Sequence, residues 1–406
     1  MNYIKNTIWN SIGITIYLAC QWLITLLVVW IYDDFTNAGN LALAMNITNF
    51  FACIAVYNIR TFQVSDVKYE FTDKEYIINR VLLCGISFIL CFIFLLFNNF
   101  SLMQKLIILC FMAFRCIEAF IDVLHGINQK NWKMEYIGVS FILRGISMLV
   151  IFILIGNFYG LLPAVIGMGI TSFLVCLIYD LPNTKKIASL INFSIGKVFL
   201  LTKKCFPLML VILISTLMAS FSRYSIEIIH GTEALGVYAA IIAPAMIIQI
   251  SASFIFAPLI NVFASCLKES RIQKFQKLFI YTSLFVIALT LLAYIIAIFL
   301  GEWALTLIFG DAIVPYAYLL NGAIVISGLT AFMWFMNIIF VTMRDIKGIL
   351  IGNIIGAIIC LLLTNYFLVS FNLMGANYII ILSLGAALTF LFLRLYMNLK
   401  KLMQKQ

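Results

Sequence analysis

Long apolar runs separated by short polar segments dominate the chain. Each run has about the length, roughly 20 residues, that a helix needs to cross the hydrocarbon core of a bilayer. The strands of an outer-membrane barrel would alternate apolar and polar positions, whereas these runs are continuous. The pattern predicts an all-α polytopic membrane protein with about twelve transmembrane helices. Their approximate bounds are 10–31, 39–58, 80–97, 103–124, 137–156, 160–180, 205–229, 236–266, 277–300, 313–340, 348–370 and 374–398.

The amino-acid composition agrees with this class and excludes several others. Of the 406 residues, 64% are hydrophobic and 10% are charged, whereas a soluble domain is about half apolar and about a quarter charged. A cytosolic enzyme, a disulfide-rich secreted domain and a disordered chain are therefore excluded. The net charge of +10 has to be interpreted by position, because basic residues collect in the cytoplasmic loops of membrane proteins.

Basic residues are distributed very unevenly between the two sides that the predicted spans define. When both termini are placed inside, nearly all of the 26 Lys and Arg residues fall in inner segments, and only Lys105 falls in an outer one. Arg115, Arg144 and Arg223 lie within spans. The positive-inside rule therefore predicts that both termini are cytoplasmic.

The longest polar segment, from Pro182 to Lys204, divides the predicted spans into two equal sets. Its apolar residues fall roughly on one helical face, so it is either an amphipathic helix on the inner leaflet or a plain linker. A faint repeat, Ala38–Ala42 and Leu235–Ala239, agrees with two lobes, because transporters are commonly built from such repeats. The predicted domains are an N-terminal six-helix lobe (1–182), a cytoplasmic linker (183–204) and a C-terminal six-helix lobe (205–406).

Charged residues inside spans are the candidates for chemistry, because such charges are costly in a bilayer and usually face a cavity or each other. Arg115, Glu118 and Asp122 are spaced i, i+3 and i+7, which places them on one face of the fourth span. Arg144 lies in the fifth span, which contains no acidic residue. The other residues assigned to a candidate polar cavity are Arg60, Arg80, Arg223, Glu227, Asn46 and Asn49.

Two interpretations of these charges remain open. An arginine can hold a phosphate through two hydrogen bonds at once, so the arginines could bind an anionic head group. Alternatively, Arg115–Glu118 and Arg223–Glu227 are internal ion pairs that lock helices together.

We predict no catalytic residues, no metal site and no cofactor. The two histidines, His125 and His230, lie far apart and lack metal-ligand spacing. A phosphate-binding GxxxxGK[ST] loop does not occur, so ATP hydrolysis is not encoded in this chain. Asp33 and Asp34 lie in the first outer loop, and we interpret them as a solvated turn.

Three stretches carry a family resemblance. They are Asn58–Asp66 followed by Tyr76 and Arg80; Arg115–Val123 followed by Gly126–Lys130, Tyr136–Gly138, Ser140 and Arg144–Gly145; and Phe206–Pro207 followed by Arg223–Gly231 and Leu235–Tyr238. These stretches resemble the capsular and O-antigen polysaccharide flippases of the multidrug/oligosaccharidyl-lipid/polysaccharide exporter superfamily. The resemblance covers about the first 240 residues, and the remainder matches only in the number and hydrophobicity of its spans.

The resemblance implies two six-helix lobes around a central cleft that opens alternately to each side of the bacterial cytoplasmic membrane. It implies a flippase that moves undecaprenyl-diphosphate-linked oligosaccharide repeat units from the inner to the outer leaflet, for capsule or O-antigen synthesis. A polysaccharide polymerase and a chain-length regulator are its implied partners, and nucleic acid is not one. Diphosphate binding is assigned by resemblance to Arg60, Arg80, Arg115 and Arg144, and coupling to an ion is left to Glu118 or Asp122.

Two alternatives to a flippase remain. A drug/cation antiporter of the same superfamily would favour a cavity dominated by acidic residues, whereas arginines are in excess here. A membrane polysaccharide polymerase or glycosyltransferase would need a sizeable outer loop to bind its acceptor, and the predicted outer loops are all short.

Overall fold

The computed structural model describes the whole chain except residues 1, 33, 67–69, 189–192, 270 and 405–406. Within the described residues the secondary structure is entirely helical. The α-helices are α1 (Asn2–Tyr32), α2 (Phe35–Val56), α3 (Ile59–Ser65), α4 (Asp73–Leu96), α5 (Leu102–Lys130), α6 (Met134–Tyr159), α7 (Leu161–Val175), α8 (Leu181–Lys185), α9 (Ile195–Lys268), α10 (Ile272–Phe309), α11 (Leu319–Thr342) and α12 (Ile346–Met403). A π-helical turn, Cys176–Asp180, joins α7 to α8, and a 3₁₀ helix, Asp311–Tyr316, precedes α11.

Nine helical segments of the described chain are long and apolar enough to cross a membrane, which makes the protein a multi-pass membrane protein. Two of them are far longer than one crossing, and each contains a residue with non-helical backbone angles. Gly231 (φ 85°, ψ 176°) interrupts α9 and Asn372 (φ 50°, ψ −142°) interrupts α12. Both interruptions fall in gaps that the hydropathy pattern places between adjacent spans.

Polar residues fix where several helices begin, because the first N–H groups of a helix have no partner within it. The Thr72 hydroxyl accepts from the Glu75 N–H, while the Glu75 side chain accepts from the Thr72 N–H, so a capping box starts α4. The Asp34 carboxylate accepts from the Asn37 N–H at 2.8 Å and caps α2. Asp34, predicted to be part of a solvated turn, is thus a helix cap, while Asp33 lies outside the described residues.

The capping box corrects the predicted start of the third span. We placed that start at Arg80, but α4 begins at Asp73, so Arg80 lies about two turns inside the helix. The predicted polar loop between Arg60 and Arg80 is correspondingly short, because Arg60 belongs to α3 and only residues 66–72 separate α3 from α4. Lys68 of that loop lies outside the described residues.

The chain divides into two compact units, Met1–Leu213 and Ile214–Gln406. In the first unit α1 packs on α6, α2 on α5, and α4 on both α2 and α5. The α1–α6 contact is very close, because a Cβ atom on Gly13 would overlap the Gly138 carbonyl. The predicted linker 183–204 contains the end of α8 and the start of α9, and its residues 189–192, including Leu190 and Ile191, lie outside the described residues.

In the second unit α11 packs against both α10 and α12. Gly348, Gly352 and Gly356 are spaced four residues apart in α12, and each lies close to the later part of the same helix, beyond the break at Asn372. A Cβ atom would lie 3.0 Å from the Leu391 side chain if built on Gly352, and 2.8 Å from the Ser383 carbonyl if built on Gly356. Glycine at these positions therefore permits close packing between the two parts of α12.

Candidate functional site

A cavity of about 190 Å³ lies inside the first unit, between α2, α5 and α6. Its polar lining comes mainly from α5, with one arginine from α6. Arg115, Glu118 and Asp122 all line it, so the spacing correctly predicted that these side chains share a face. The complete lining is Ala52, Val56, Arg115, Glu118, Ala119, Asp122, His125, Phe141 and Arg144.

Asp122 is held between two arginines from different parts of the chain. Arg60 Nη1 lies 3.2 Å from one carboxylate oxygen and Arg80 Nη2 lies 2.9 Å from the other. Arg60 also donates from Nε and Nη2 to the Gln129 side-chain oxygen at 3.0 and 2.9 Å. Asp122 therefore ties α3 and α4 to α5, and it fixes the direction of both guanidinium groups.

Arg80 is completely buried, and backbone carbonyls provide its remaining partners. Its Nη1 donates to the Ala55 carbonyl at 2.7 Å and also to the Val56 carbonyl. These carbonyls are available because α2 ends at Val56, and the next two residues, Tyr57 and Asn58, have positive φ angles of 49° and 53°. Arg80 is thus a cap for α2 as well as a cation beside the cavity.

Glu118 lies between the other two arginines. Its Oε2 is 2.7 Å from Arg115 Nη1, and its Oε1 is 3.9 Å from Arg144 Nη1. Arg115 also donates from Nη2 to the Asn49 side-chain oxygen. The interpretation of Arg115 and Glu118 as an ion pair is confirmed, and Asn49 is brought to the same site.

Arg144 is held more by aromatic rings than by hydrogen bonds. The guanidinium carbon lies 4.9 Å from the Tyr17 ring centre and 5.0 Å from the Phe141 ring centre, which are favourable cation–π distances. The side chain is 3% exposed, and Nε has no hydrogen-bond partner among the described residues. A buried guanidinium whose charge is only partly met by protein is suited to meeting an anion.

A second polar group next to the cavity escaped the sequence analysis. His125 Nε2 lies 3.2 Å from Ser140 Oγ and 3.4 Å from Asp180 Oδ1, and Ser140 donates to Asp180 Oδ2 at 3.0 Å. All three residues are buried. His125 follows Glu118 and Asp122 at i+7 and i+3, which was the available signal, but the approach of Asp180 depends on the π-helical turn that precedes α8.

The lining of the described cavity does not include the remaining candidates, Asn46, Arg223 and Glu227. Asn46 is buried within α2. Arg223 and Glu227 lie on α9 in the second unit, where Glu227 accepts a hydrogen bond from Thr232 at 2.8 Å. Arg223 Nε is buried without a hydrogen-bond partner among the described residues. The pairing of Arg223 with Glu227 stays a prediction.

The site is cationic as a whole. Arg60 and Arg80 contact the Asp122 carboxylate, and Arg115 and Arg144 lie beside the Glu118 carboxylate. The third carboxylate nearby, that of Asp180, lies next to His125. Arginines placed in this way can bind the oxygens of a phosphate or diphosphate from several directions. Among the described residues no group of His, Cys, Asp or Glu is arranged to hold a metal ion.

Comparison with known proteins gives one curated relative of interest. No protein-family model matches the chain. The chain is 25% identical over 319 residues to the capsular polysaccharide biosynthesis protein CapF of Staphylococcus aureus, an alignment that covers 76% of this chain and 77% of that protein.

Solved structures show which fold this is. A mutant of the Vibrio cholerae MATE transporter VcmN matches with a TM-score of 0.66 at 14% identity, over 100% of this chain and 97% of that one. An inward-facing multidrug resistance MATE family transporter of the MOP superfamily matches with a TM-score of 0.67 at 15% identity, over 98% of this chain and 95% of that one. The chain therefore has the fold of these MATE transporters.

Proposed function

We propose that this protein is a flippase that moves undecaprenyl-diphosphate-linked oligosaccharide repeat units from the inner to the outer leaflet of a bacterial cytoplasmic membrane. The substrate would serve capsule or O-antigen synthesis. The transporter fold supports membrane export, and the likeness to CapF supports a link to polysaccharide synthesis. In this proposal two six-helix lobes surround a central cleft that opens alternately to each side.

The observation that carries the proposal is the cluster of four arginines in the first unit, with Arg115 and Arg144 on the cavity wall and Arg60 and Arg80 bound to Asp122 beside it. Arg144 is the central residue, because it is buried and stacked on two aromatic rings. The carboxylate near it is that of Glu118, at 3.9 Å, which Arg144 shares with Arg115. Arg60, Arg80 and Arg115 would supply the other positive charges around the diphosphate. A head group of sugars and phosphates would lose water in hydrocarbon, and such a site replaces part of that water.

The membrane potential is sufficient to drive the proposed movement. A diphosphate carries about two negative charges, and each releases about 2.3 kcal/mol per 100 mV when it moves outward across an inside-negative membrane. The total of about 4–5 kcal/mol at 100 mV favours export by uniport. Coupling to an ion through Glu118 or Asp122 is not required by this energy.

The proposed topology has about twelve crossings with both termini in the cytoplasm. It counts α9 and α12 twice each, because each is interrupted within its length. It also counts α5, whose charged residues line the cavity rather than face lipid. A polysaccharide polymerase and a chain-length regulator are the proposed partners on the outer side.

The test is the leaflet in which complete repeat units accumulate. A strain lacking the protein is complemented with wild type, Arg144→Ala or the control Arg271→Ala, whose exposed side chain pairs with Glu269. A glycan-modifying enzyme is then added outside spheroplasts. The fraction of lipid-linked units that it modifies measures how many units are in the outer leaflet. We expect units that face the cytoplasm to accumulate in the deletion strain and in the strain that carries Arg144→Ala. At equal protein level, the Arg271→Ala variant should move these units to the outer leaflet as wild type does. Normal outward exposure in the deletion strain would disprove the proposal.

A drug/cation antiporter is the second candidate, because a multidrug resistance MATE transporter has the same fold. Glu118 and Asp122 would then serve as acidic groups for a cation or a proton. The same deletion strain separates the two functions. Increased retention of ethidium with unchanged lipid-linked units would favour the antiporter, whereas unchanged ethidium with trapped units would favour the flippase.

A further inference from the structure

A second polar cavity, of about 500 Å³, lies within the second unit. It is formed by the C-terminal end of α9, the turn between α11 and α12, and the C-terminal end of α12. The side chains that give it charge are Arg344, Arg394 and Lys401, against the single carboxylate of Asp345. The apolar core of α11 ends at Thr342, so the cavity lies where a membrane-spanning helix ends.

The turn that carries Arg344 has a defined geometry. The Arg344 N–H donates to the Val341 carbonyl at 3.0 Å, and the Asp345 N–H donates to the Phe340 carbonyl at 2.9 Å. This is a Schellman motif, in which the residue in the left-handed region is usually glycine. Here that residue is Arg344, with φ 58°. An unfavourable backbone angle thus places a cation on the wall of the cavity.

Asp345 holds part of the wall in place. It accepts from Arg394 Nε and Nη2 at 2.6 and 2.7 Å, from Asn398 at 3.0 Å, and from the Gly348 N–H at 3.1 Å. The Arg394 hydrogen bonds, with those of Asn398 and Gly348, hold the pKa of Asp345 below its usual range. The carboxylate is therefore saturated, and Arg394 keeps its Nη1 hydrogens for another acceptor.

Two further cations on the wall have no acidic partner. The side chains of Arg344 and Lys401 make no ion pair or hydrogen bond with the described residues. Arg344, Lys401 and the outer edge of Arg394 therefore line one cavity with positive charge that no carboxylate balances. Phosphate oxygens are the natural acceptors for such a set, because guanidinium and ammonium groups both bind them strongly.

We propose that this cavity binds a phosphate group, carried by the head group of an anionic phospholipid or by a soluble phosphate ester. The cavity lies at the end of α11, a helix long and apolar enough to cross a membrane, and the ends of such helices lie near the lipid head groups. Basic pockets between transmembrane helices are typical lipid head-group sites. The proposal does not depend on the substrate of the cavity in the first unit. A lipid bound here would contact α9, α11 and α12 together at their ends.

The experiment measures lipid retained by the full chain after purification in detergent, by native mass spectrometry. The probes are palmitoyl-oleoyl phosphatidylglycerol and the corresponding zwitterionic phosphatidylcholine. The test variant is Arg344→Ala/Lys401→Ala, which leaves the Asp345–Arg394 pair intact. The matched control is Lys274→Ala/Lys277→Ala, which removes two exposed charges near the start of α10. Thermal unfolding verifies that all forms are folded.

We expect wild type and control to retain phosphatidylglycerol about fivefold more than phosphatidylcholine, and the test variant to lose that preference. Displacement of the lipid by millimolar glycerol 3-phosphate, in wild type only, would also support the site and would identify a soluble phosphate ester as a ligand. Equal preference for phosphatidylglycerol in wild type and the test variant would overturn the proposal. So would the absence, in wild type, of both the lipid preference and binding of glycerol 3-phosphate.

Discussion

In the first unit charged side chains lie in the middle of apolar helices, whereas in the second most of them lie at helix ends. Helix α5 carries Arg115, Glu118 and Asp122 along one face, but α11 contains no charged residue between Leu319 and Thr342. The principal ion pair of the second unit, Asp345 with Arg394, lies at the end of α11 and near the end of α12. Charges inside a membrane span are expensive, so the charged face of α5 is the more unusual of these two arrangements.

The contrast is informative because the two units share a local architecture. The turn after α5 has Trp132 at φ 59°, with the Lys133 N–H donating to the Asn128 carbonyl at 2.8 Å. The turn after α11 has Arg344 at φ 58°, with the equivalent bond from Asp345. The same helix ending thus forms with and without charges in the preceding helix, so the charges of α5 are not needed to build it.

The largest expected effect is that of Asp122→Ala. This change leaves the fully buried Arg80 and its neighbour Arg60 without their shared carboxylate, and removal of one partner from a buried ion pair costs about 3–5 kcal/mol. We expect a large fall in the midpoint of thermal unfolding of the purified protein. A midpoint equal to that of wild type would mean that the first unit, like the second, does not depend on charges inside its helices.

The next effect concerns function rather than stability. We expect Arg144→Ala to reduce outward movement of repeat units about tenfold or more, since tenfold corresponds to about 1.4 kcal/mol, and Arg144→Lys to retain part of it. Arg223→Ala in the second unit is the matched comparison, measured in the same leaflet assay. An equal loss with Arg223→Ala would show that both units contribute to substrate binding and would remove the contrast.

A smaller effect is expected for Asp345→Asn, about 1 kcal/mol of stability, because the pair is partly exposed. Folding lowers the pKa of Asp345, mainly through the hydrogen bonds from Arg394. Its contribution is therefore present above the unfolded pKa of about 3.9 and is lost as the pH falls through the folded value. The difference in unfolding midpoint between wild type and variant should shrink below about pH 4, and a constant difference would exclude this ionisation as its cause.

The smallest effect is expected for Arg271→Ala. Its guanidinium lies 2.9 Å from Glu269, but both side chains are about half exposed or more, and such surface pairs are worth about 0–1 kcal/mol. We expect the unfolding midpoint and the leaflet assay to be almost unchanged. A clear defect in either measurement would make this variant unsuitable as a control and would assign Arg271 a role beyond the surface.

The sequence predicted the membrane helices and the polar face of α5 because both depend on local periodicity. The 3.6-residue repeat places Arg115, Glu118 and Asp122 together whatever the rest of the chain does. The partners of Asp122 could not be derived in this way. Arg60 and Arg80 are distant in sequence, and each reaches the carboxylate only after α2 ends at Val56 and α4 begins at Asp73.

Two further features depended on local backbone geometry that residue types do not specify. The π-helical turn Cys176–Asp180 brings Asp180 to His125 and Ser140, and nothing in its composition distinguishes it from the helix on either side. Glu227 bonds to Thr232, five residues away, beside the backbone break at Gly231.

Asp122 has a consequence for how tightly an anionic cargo could be held. Its two oxygens already occupy Arg60 and Arg80 in the way that a phosphate would. The diphosphate proposed above as cargo would therefore have to displace, or share the arginines with, a carboxylate that is covalently part of the protein. Such competition limits the affinity of the site for an anionic substrate. A carrier that must release its substrate on the far side of a membrane works faster when it binds that substrate with moderate affinity.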